Sequence, residues 1–269
     1  MTFSWDNRVN QFALLAYATA LVAGLPRSKL SSSDYASGKE ILHVHVGKTA
    51  GASVEAFLVA NRIGHTQVHV GSGAARVHRL LKWHKHVLVA LRDPADRVVS
   101  AFNWRHTQGG GNVNRPRRTR AFENELYKCF PTVTSFAMSF VNGTGRCNDL
   151  AEESVEPTSA SSYVHIGMGY RHYFGARVLA LLERRVRSGE AKLYAVPTGP
   201  AILSKVLSMC ARIGIPLRAP SLKHVNANYL RHAEIVESAE AMRALRQRLG
   251  FEYEVLDKLH TLAIESGPA

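Results

Sequence analysis

Lys48 stands where an apolar run gives way to small and hydroxylated residues. Ile41-Leu42-His43-Val44-His45-Val46 reads as a strand, Gly47-Lys48-Thr49-Ala50-Gly51-Ala52 as a tight turn, and Ser53–Asn61 as a helix. A strand that breaks into a helix N-terminus presents unpaired N–H groups and the positive end of the helix dipole, which suits phosphate or sulfate. Lys48, the hydroxyls of Thr49 and Ser53, and the backbone N–H groups from Ala50 to Ser53 are expected to cradle one tetrahedral anion. Gly51 is expected to let the backbone approach the ligand closely. A second run, Val87-Leu88-Val89-Ala90-Leu91, ends in Arg92-Asp93-Pro94. Arg92 offers a planar fork for a phosphate. Asp93 suits an N-cap and Pro94 the first helical position. Ser100, two helical turns past Arg92, is placed to donate to the same phosphate. Arg97 reads as a partner for Asp93 four residues earlier. Two anion-binding turns in tandem imply a ligand with phosphate-like groups at both ends.

These turns must be carried by a sheet. Strand-like runs fall at Ile41–Val46, Thr66–Val70, Val87–Leu91 and Lys192–Val196. Helix-like runs fall at Ser53–Asn61, Ala95–Trp104, Thr132–Val141, Tyr170–Ser188, Ala201–Ile213 and Glu237–Leu249, continuing through Tyr253–Ile264. Strands alternating with longer helices point to an α/β fold, an open, mainly parallel sheet flanked by helices in a single domain. Ligands of such sheets bind beyond the carboxyl ends of the strands, where both basic turns lie.

With 269 residues, 46% of them hydrophobic, the chain can bury a substantial core. Its formal net charge of +13 favours acidic partners. The basic, glycine-rich Gln108–Arg120 reads as a surface loop, either touching an acidic substrate or simply solvated. It lacks the interleaved aromatics that stack bases, so nucleic acid is not an expected partner. Residues 1–38 read as a separate N-terminal segment, ahead of a domain spanning 39–269. Within it, Phe12–Leu25 is uncharged and mostly apolar, short for a span of about 20 residues. It reads as a signal anchor, a signal-peptide core or a buried helix, and Ser31–Gly38 as a linker. Cys129 and Cys147 bracket a candidate helix and suit a local disulfide, and Asn142-Gly143-Thr144 is a glycosylation pattern.

Together, Lys48-Thr49-Ala50-Gly51-Ala52-Ser53 and Arg92-Asp93-Pro94-Ala95-Asp96-Arg97-Val98-Val99-Ser100-Ala101-Phe102 resemble the sulfotransferases that use 3'-phosphoadenosine 5'-phosphosulfate (PAPS), in the carbohydrate branch that includes the heparan and chondroitin enzymes. The resemblance implies the P-loop-like sulfotransferase fold, with PAPS as co-substrate. It assigns the 5'-phosphosulfate to Lys48, Thr49, Ala50, Gly51, Ala52 and Ser53, and the 3'-phosphate to Arg92 and Ser100. The Cys129–Cys147 segment and His224-Val225-Asn226 also look similar to membrane-anchored members. Gly47 departs from the proline that many members carry before the lysine. The resemblance further implies a glycan acceptor and residence in the secretory pathway, as a Golgi membrane protein with a lumenal catalytic domain; a cytoplasmic location is the alternative.

Sulfuryl transfer is an in-line displacement. Lys48 is expected to stabilise the charge that develops on the leaving oxygen, and a base must take the acceptor's proton. His69, at the end of the second strand, is the first candidate for that base; His65, His78 and Glu55 are rivals. His84 and His86, at the start of the third strand, read as structural. His165, Tyr170 and His172 form a cluster that suits acceptor contact or helix packing equally. The scheme requires no metal, and no HExxH or paired CxxC pattern occurs. A nucleotide-dependent kinase is the rival enzyme, disfavoured because Leu42 stands where a Walker A loop needs glycine. A non-catalytic polyanion-binding protein is the rival from another class.

Overall fold

Residues 40–69, 73–107, 117–156, 165–217 and 236–267 are described by the computed structural model. Four strands, β1 (Ile41–Val44), β2 (His65–Val68), β3 (His86–Leu91) and β4 (Lys192–Pro197), pair in the order β2-β1-β3-β4, all parallel. The helices among these residues are α1 (Gly51–Ala60), α2 (Gly73–Leu80), α3 (Pro94–Thr107), α4 (Arg117–Cys129), α5 (Val133–Asn142), α6 (Gly145–Val155), α7 (Tyr170–Tyr173), α8 (Ala176–Arg187), α9 (Ile202–Ile213), α10 (Ala239–Arg248) and α11 (Gly250–Glu265). The described residues all belong to one compact unit, 38–269. None of their helices is long and apolar enough to cross a membrane.

Side-chain alternation sorts the two faces of the sheet. Leu42, Val44, Val68, Val87, Val89, Leu91 and Leu193 pack against α2, α7, α8 and α11. Ile41, Leu88, Ala90, Tyr194 and Val196 pack against α1 and α9. A third cluster, built from α3, α4, α5, α6 and α10, packs around Phe102, Phe136 and Leu245. The same alternation turns His43, His45, His65, Gln67 and His69 toward the α1 face.

Topology decides where a ligand fits. The chain leaves β1 through α1 toward β2 on one side. It leaves β3 through α3 to α8 toward β4 on the other. The two connections diverge, so the carboxyl ends of β1 and β3 flank the topological switch point, where open α/β sheets bind ligands.

Several boundaries differ from the sequence reading. The second strand ends at Val68, which leaves His69 just beyond it. Residues 73–80, which follow a glycine-rich stretch, form α2. The basic run Arg117–Arg120 opens α4 rather than closing a loop. The expected Tyr170–Ser188 helix is broken after Tyr173, and Gly175 caps the second piece. Leu249 ends α10 and starts α11, dividing what reads as one helix. Phe12–Leu25, the Ser31–Gly38 linker, residues 108–116 of the basic loop and His224-Val225-Asn226 lie outside the described residues.

Cys129, at the end of α4, and Cys147, in the first turn of α6, form a disulfide with a Cα–Cα distance of 5.6 Å. Asn142, the acceptor of the glycosylation pattern, is exposed at the end of α5. The disulfide closes a short loop across the third cluster. Replacing both cysteines with serine is expected to lower the unfolding free energy by about 3 kcal/mol, measured by urea denaturation.

Candidate functional site

Both basic turns lie at the switch point and touch. The Arg92 guanidinium donates from Nη1 to the Lys48 carbonyl at 3.2 Å. Lys48 and Ala50 both adopt left-handed backbone conformations, φ 67° and 58°, which non-glycine residues adopt at a cost and which recur at ligand sites. Ala50 is the N-cap of α1 and supplies no side-chain bond, and no acidic residue stands in the first turn. Alanine caps poorly. The first N–H groups of the helix, on Gly51 and Ala52, therefore have no capping side chain, and their dipole end carries no compensating charge.

Two details of this turn correct the sequence reading and a third adds to it. Thr49 is buried and its hydroxyl donates to the Val46 carbonyl at 2.8 Å, so its single proton braces the turn rather than an anion. The Ser53 N–H donates to the Ala50 carbonyl at 3.0 Å, which removes it from the cradle and leaves the Ser53 hydroxyl as that residue's possible contribution. Gly51 also makes room for a neighbouring ring: a Cβ there would lie 2.0 Å from Cδ2 of His45.

Arg92 is held from behind. The Tyr170 hydroxyl accepts from the Arg92 N–H at 2.6 Å and donates to the Arg92 carbonyl at 2.8 Å. The buried Glu252 carboxylate accepts from the N–H groups of Tyr170 and Arg171. Burial raises the Glu252 pKa, and Arg97 and the two N–H donors pull against that rise. Burial likewise raises the Tyr170 phenol, keeping it neutral. Tyr170 is thus a brace for Arg92, and the acceptor-contact reading of this residue is set aside.

Arg97 does not pair with Asp93. It is buried and donates from Nη1 to the His165 carbonyl at 3.0 Å and from Nη2 to the Ile166 carbonyl. Asp93 instead caps α3 through the Asp96 N–H at 3.0 Å and accepts from the Tyr253 hydroxyl at 2.9 Å. The geometric reason is direction: Arg97 lies on the inward face of α3, while Asp93 turns toward the helix end. Ser100, also buried, lies between Arg97 and Trp104 on one stripe of that helix.

Histidines line the β1 side. His43 Nδ1 and His65 Nε2 hold opposite oxygens of Glu55, at 3.0 and 2.8 Å. His65 Nδ1 also faces the Ile63 carbonyl at 2.7 Å. Both nitrogens of His65 therefore face acceptors, which suits an imidazolium. Burial, the largest single effect, opposes that charge, but the bond and charge of Glu55, the Ile63 carbonyl and the charge of Glu40 together outweigh it and raise the His65 pKa. Burial also opposes ionisation of Glu55, yet its two histidine partners lower it to about 2. Both groups are thereby committed to each other and poorly suited as the base. His65 starts β2, at the edge of the sheet opposite Lys48. His78, in the last turn of α2, also lies toward that edge.

His45 stacks on His43 at 5.7 Å and on His69 at 3.9 Å between ring centroids. His69 meets His165 edge-on at 6.3 Å, and His165 packs on Trp104 at 4.7 Å. The Lys48 ammonium sits over the Trp104 ring, 4.7 Å from its centroid. The ladder of rings therefore ends at the cationic turn. His69 directs Nδ1 at the His45 carbonyl at 3.0 Å. A carbonyl only accepts, so Nδ1 carries the hydrogen and Nε2 the lone pair, as a base requires. Burial lowers the His69 pKa more than this bond raises it. His84 bonds the Leu80 carbonyl at 2.9 Å and His86 packs on Tyr194, both at the far edge, in line with structural roles. His172 packs edge-on against Tyr173.

Of the expected residues, the structure gathers Lys48, Ala50, Gly51, Ala52, Ser53, Arg92 and His69 at one edge of the sheet. His45, Gln67, Trp104 and Glu252 were not singled out by sequence reasoning. The period-two alternation of His43, His45, Gln67 and His69 was the available signal for two of them. Comparison with protein-family models, characterised proteins and solved structures gave no match.

His45 is held neutral by burial, and its pKa falls from 6.5 to about 2. The unfolded chain takes up this proton near 6.5, so unfolding binds a proton between those values and stability falls as pH drops through that window. His43 and His69, also lowered, act in the same direction. His65 acts oppositely: its contribution is present below its unfolded value and lost as pH rises through its folded one. Glu55 stabilises above its unfolded value, and that contribution is lost as pH falls toward 2. The three lowered histidines outnumber His65, so stability is expected to decline from pH 7 to 5. His45→Phe is expected to flatten that slope by up to about 1.4 kcal/mol per pH unit, read from urea unfolding across pH.

Proposed function

We propose that this chain is a sulfotransferase that moves a sulfuryl group from PAPS to a hydroxyl of a carbohydrate or glycan. The observation that carries the reading is the meeting of the Lys48 and Arg92 turns across the β1/β3 switch point, joined by the 3.2 Å bond from Arg92 to the Lys48 carbonyl. A ligand with anions at two ends, one at the α1 N-terminus and one at Arg92 and Ser100, suits that arrangement. It would take its 5' end on the Gly51 and Ala52 N–H groups and the Ser53 hydroxyl.

The donor supplies a sulfuryl group activated by its 5'-phosphate. Lys48 provides positive charge where negative charge grows on the departing oxygen. His69 accepts the acceptor's proton at Nε2 while its Nδ1–H stays on the His45 carbonyl. Trp104 and His165 wall the site beside both groups. The acidic character of a glycan acceptor suits the +13 charge of the chain. The disulfide and the exposed Asn142 support a lumenal catalytic domain in the secretory pathway, at the Golgi membrane.

Transfer of labelled sulfate from PAPS to heparan- and chondroitin-type acceptors tests the reading. Lys48→Ala is expected to lower kcat by roughly 10²–10³-fold, and His69→Gln by at least about 10²-fold, with the fold retained by circular dichroism. Full-rate transfer by Lys48→Ala would contradict the mechanism.

A further inference from the structure

Two side chains that take no part in the chemistry above are linked to the base, His45 directly and Gln67 through His45. β1 and β2 run in register with His43 opposite Gln67, so His45 and His69 follow as the next pair toward the carboxyl edge. The His45 N–H donates to the Val68 carbonyl at 2.9 Å, which locks this end of the ladder. The His45 carbonyl then accepts from His69 Nδ1, and the His45 ring lies flat on the His69 ring, 3.9 Å away and 12° from parallel. Its other edge is wedged against Gly51, where no Cβ could fit. His45 thus touches both the anion-binding turn and the base.

Gln67 sets the protonation of this spacer. Its amide nitrogen faces His45 Nδ1 at 3.1 Å. In this orientation of the amide the N–H₂ donates and Nδ1 accepts, which puts the hydrogen of His45 on Nε2, beside Gly51; a turned-over amide would present its oxygen and reverse the tautomer. His45 and His69 consequently carry opposite tautomers: Nε2–H on the first, Nδ1–H on the second. If His45 took its hydrogen on Nδ1, it would oppose the Gln67 donor. If it took a second proton, a cation would lie against the face of the base.

We propose that His45 and Gln67 are positioning residues for sulfuryl transfer: Gln67 fixes His45 as the neutral Nε2–H tautomer, and His45 holds His69 with its Nε2 lone pair toward the acceptor. The inference rests on the functional reading above for its catalytic part and on geometry alone for its tautomer part. Besides each other, the charged and titratable groups that act on His45 and His69 are His43 from β1, Glu55 from α1 and His165 from the turn before α7. Burial and the neighbouring histidines keep His45 neutral well below neutral pH.

The test is nitrogen-15 NMR of the histidine rings in the full chain at pH 7, paired with the pH dependence of kcat for transfer from PAPS. In the wild type, His45 is expected as Nε2–H and His69 as Nδ1–H. Gln67→Leu removes the donor without touching the base. It is expected to give a mixture of His45 tautomers and to lower kcat roughly 10-fold, with the acid limb of the kcat profile unmoved, because His45 stays neutral across that range. His45→Phe, which keeps a flat ring but no nitrogen, is expected to retain His69 as Nδ1–H and to lose no further kcat when Gln67 is also replaced. Wild-type His45 found as Nδ1–H, or a Gln67→Leu protein with unchanged tautomers, would overturn the proposal. A wild type that transfers no sulfate overturns the functional reading and the catalytic part with it, while the ring spectra still decide the tautomer part.

Discussion

The bond from the Arg92 guanidinium to the Lys48 carbonyl joins the ends of two neighbouring parallel strands at the point where the sheet's connections diverge. It makes one site of two turns that are far apart in sequence. A charge-assisted bond of this kind persists only if the guanidinium is aimed, and most of the buried polar structure nearby serves that aim. Tyr170 grips both backbone polar groups of Arg92, and Glu252 in turn holds the N–H groups of Tyr170 and Arg171. Gly169 leaves the space this requires, since a Cβ there would fall 2.2 Å from the Glu252 carboxylate. Arg97 fixes the His165 and Ile166 carbonyls, and so places the ring that closes the other side of the site.

This arrangement puts one basic turn and one neutral face side by side. Lys48 and Arg92 supply positive charge at the carboxyl edge. Along the ring ladder that leads away from Lys48, burial keeps His43, His45 and His69 uncharged. His65, raised toward its charged form, is set at the opposite edge and neutralised by Glu55. An anion brought to the turn would meet cations, and a hydroxyl brought to His69 would meet an imidazole lone pair. The separation follows from the direction of the strands: polar residues near the start of β2 pair with α1, and those past its end reach the ligand edge.

Much of the scaffold was legible because its strands are apolar and its turns carry glycine, lysine and Asp-Pro. Lys48 and Arg92 could be placed on strand-to-helix turns, and Ser100 on the helix after the second, from local residue types alone. The partner of Arg97 could not, because its acceptors are carbonyls 68 and 69 residues away. The same holds for Tyr170 and Glu252, which meet across 82 residues. Gly51 was read as room for a ligand because a sequence does not show that the ring of His45 lies over it. His69 was preferred over His65 for its place at the end of the second strand; which nitrogen of each faces a carbonyl and which a carboxylate is not written in a sequence. α2 was missed because the glycines before it read as a loop.

In the proposed function, Lys48 and Arg92 grip opposite ends of one ligand. Isothermal titration of adenosine 3',5'-bisphosphate and adenosine 5'-monophosphate against the wild type and Arg92→Ala measures it directly. Arg92→Ala should weaken the bisphosphate by at least about tenfold, the scale of one charge-assisted phosphate contact, and leave the monophosphate unchanged. Equal losses for both ligands, or no loss for either, would contradict the account.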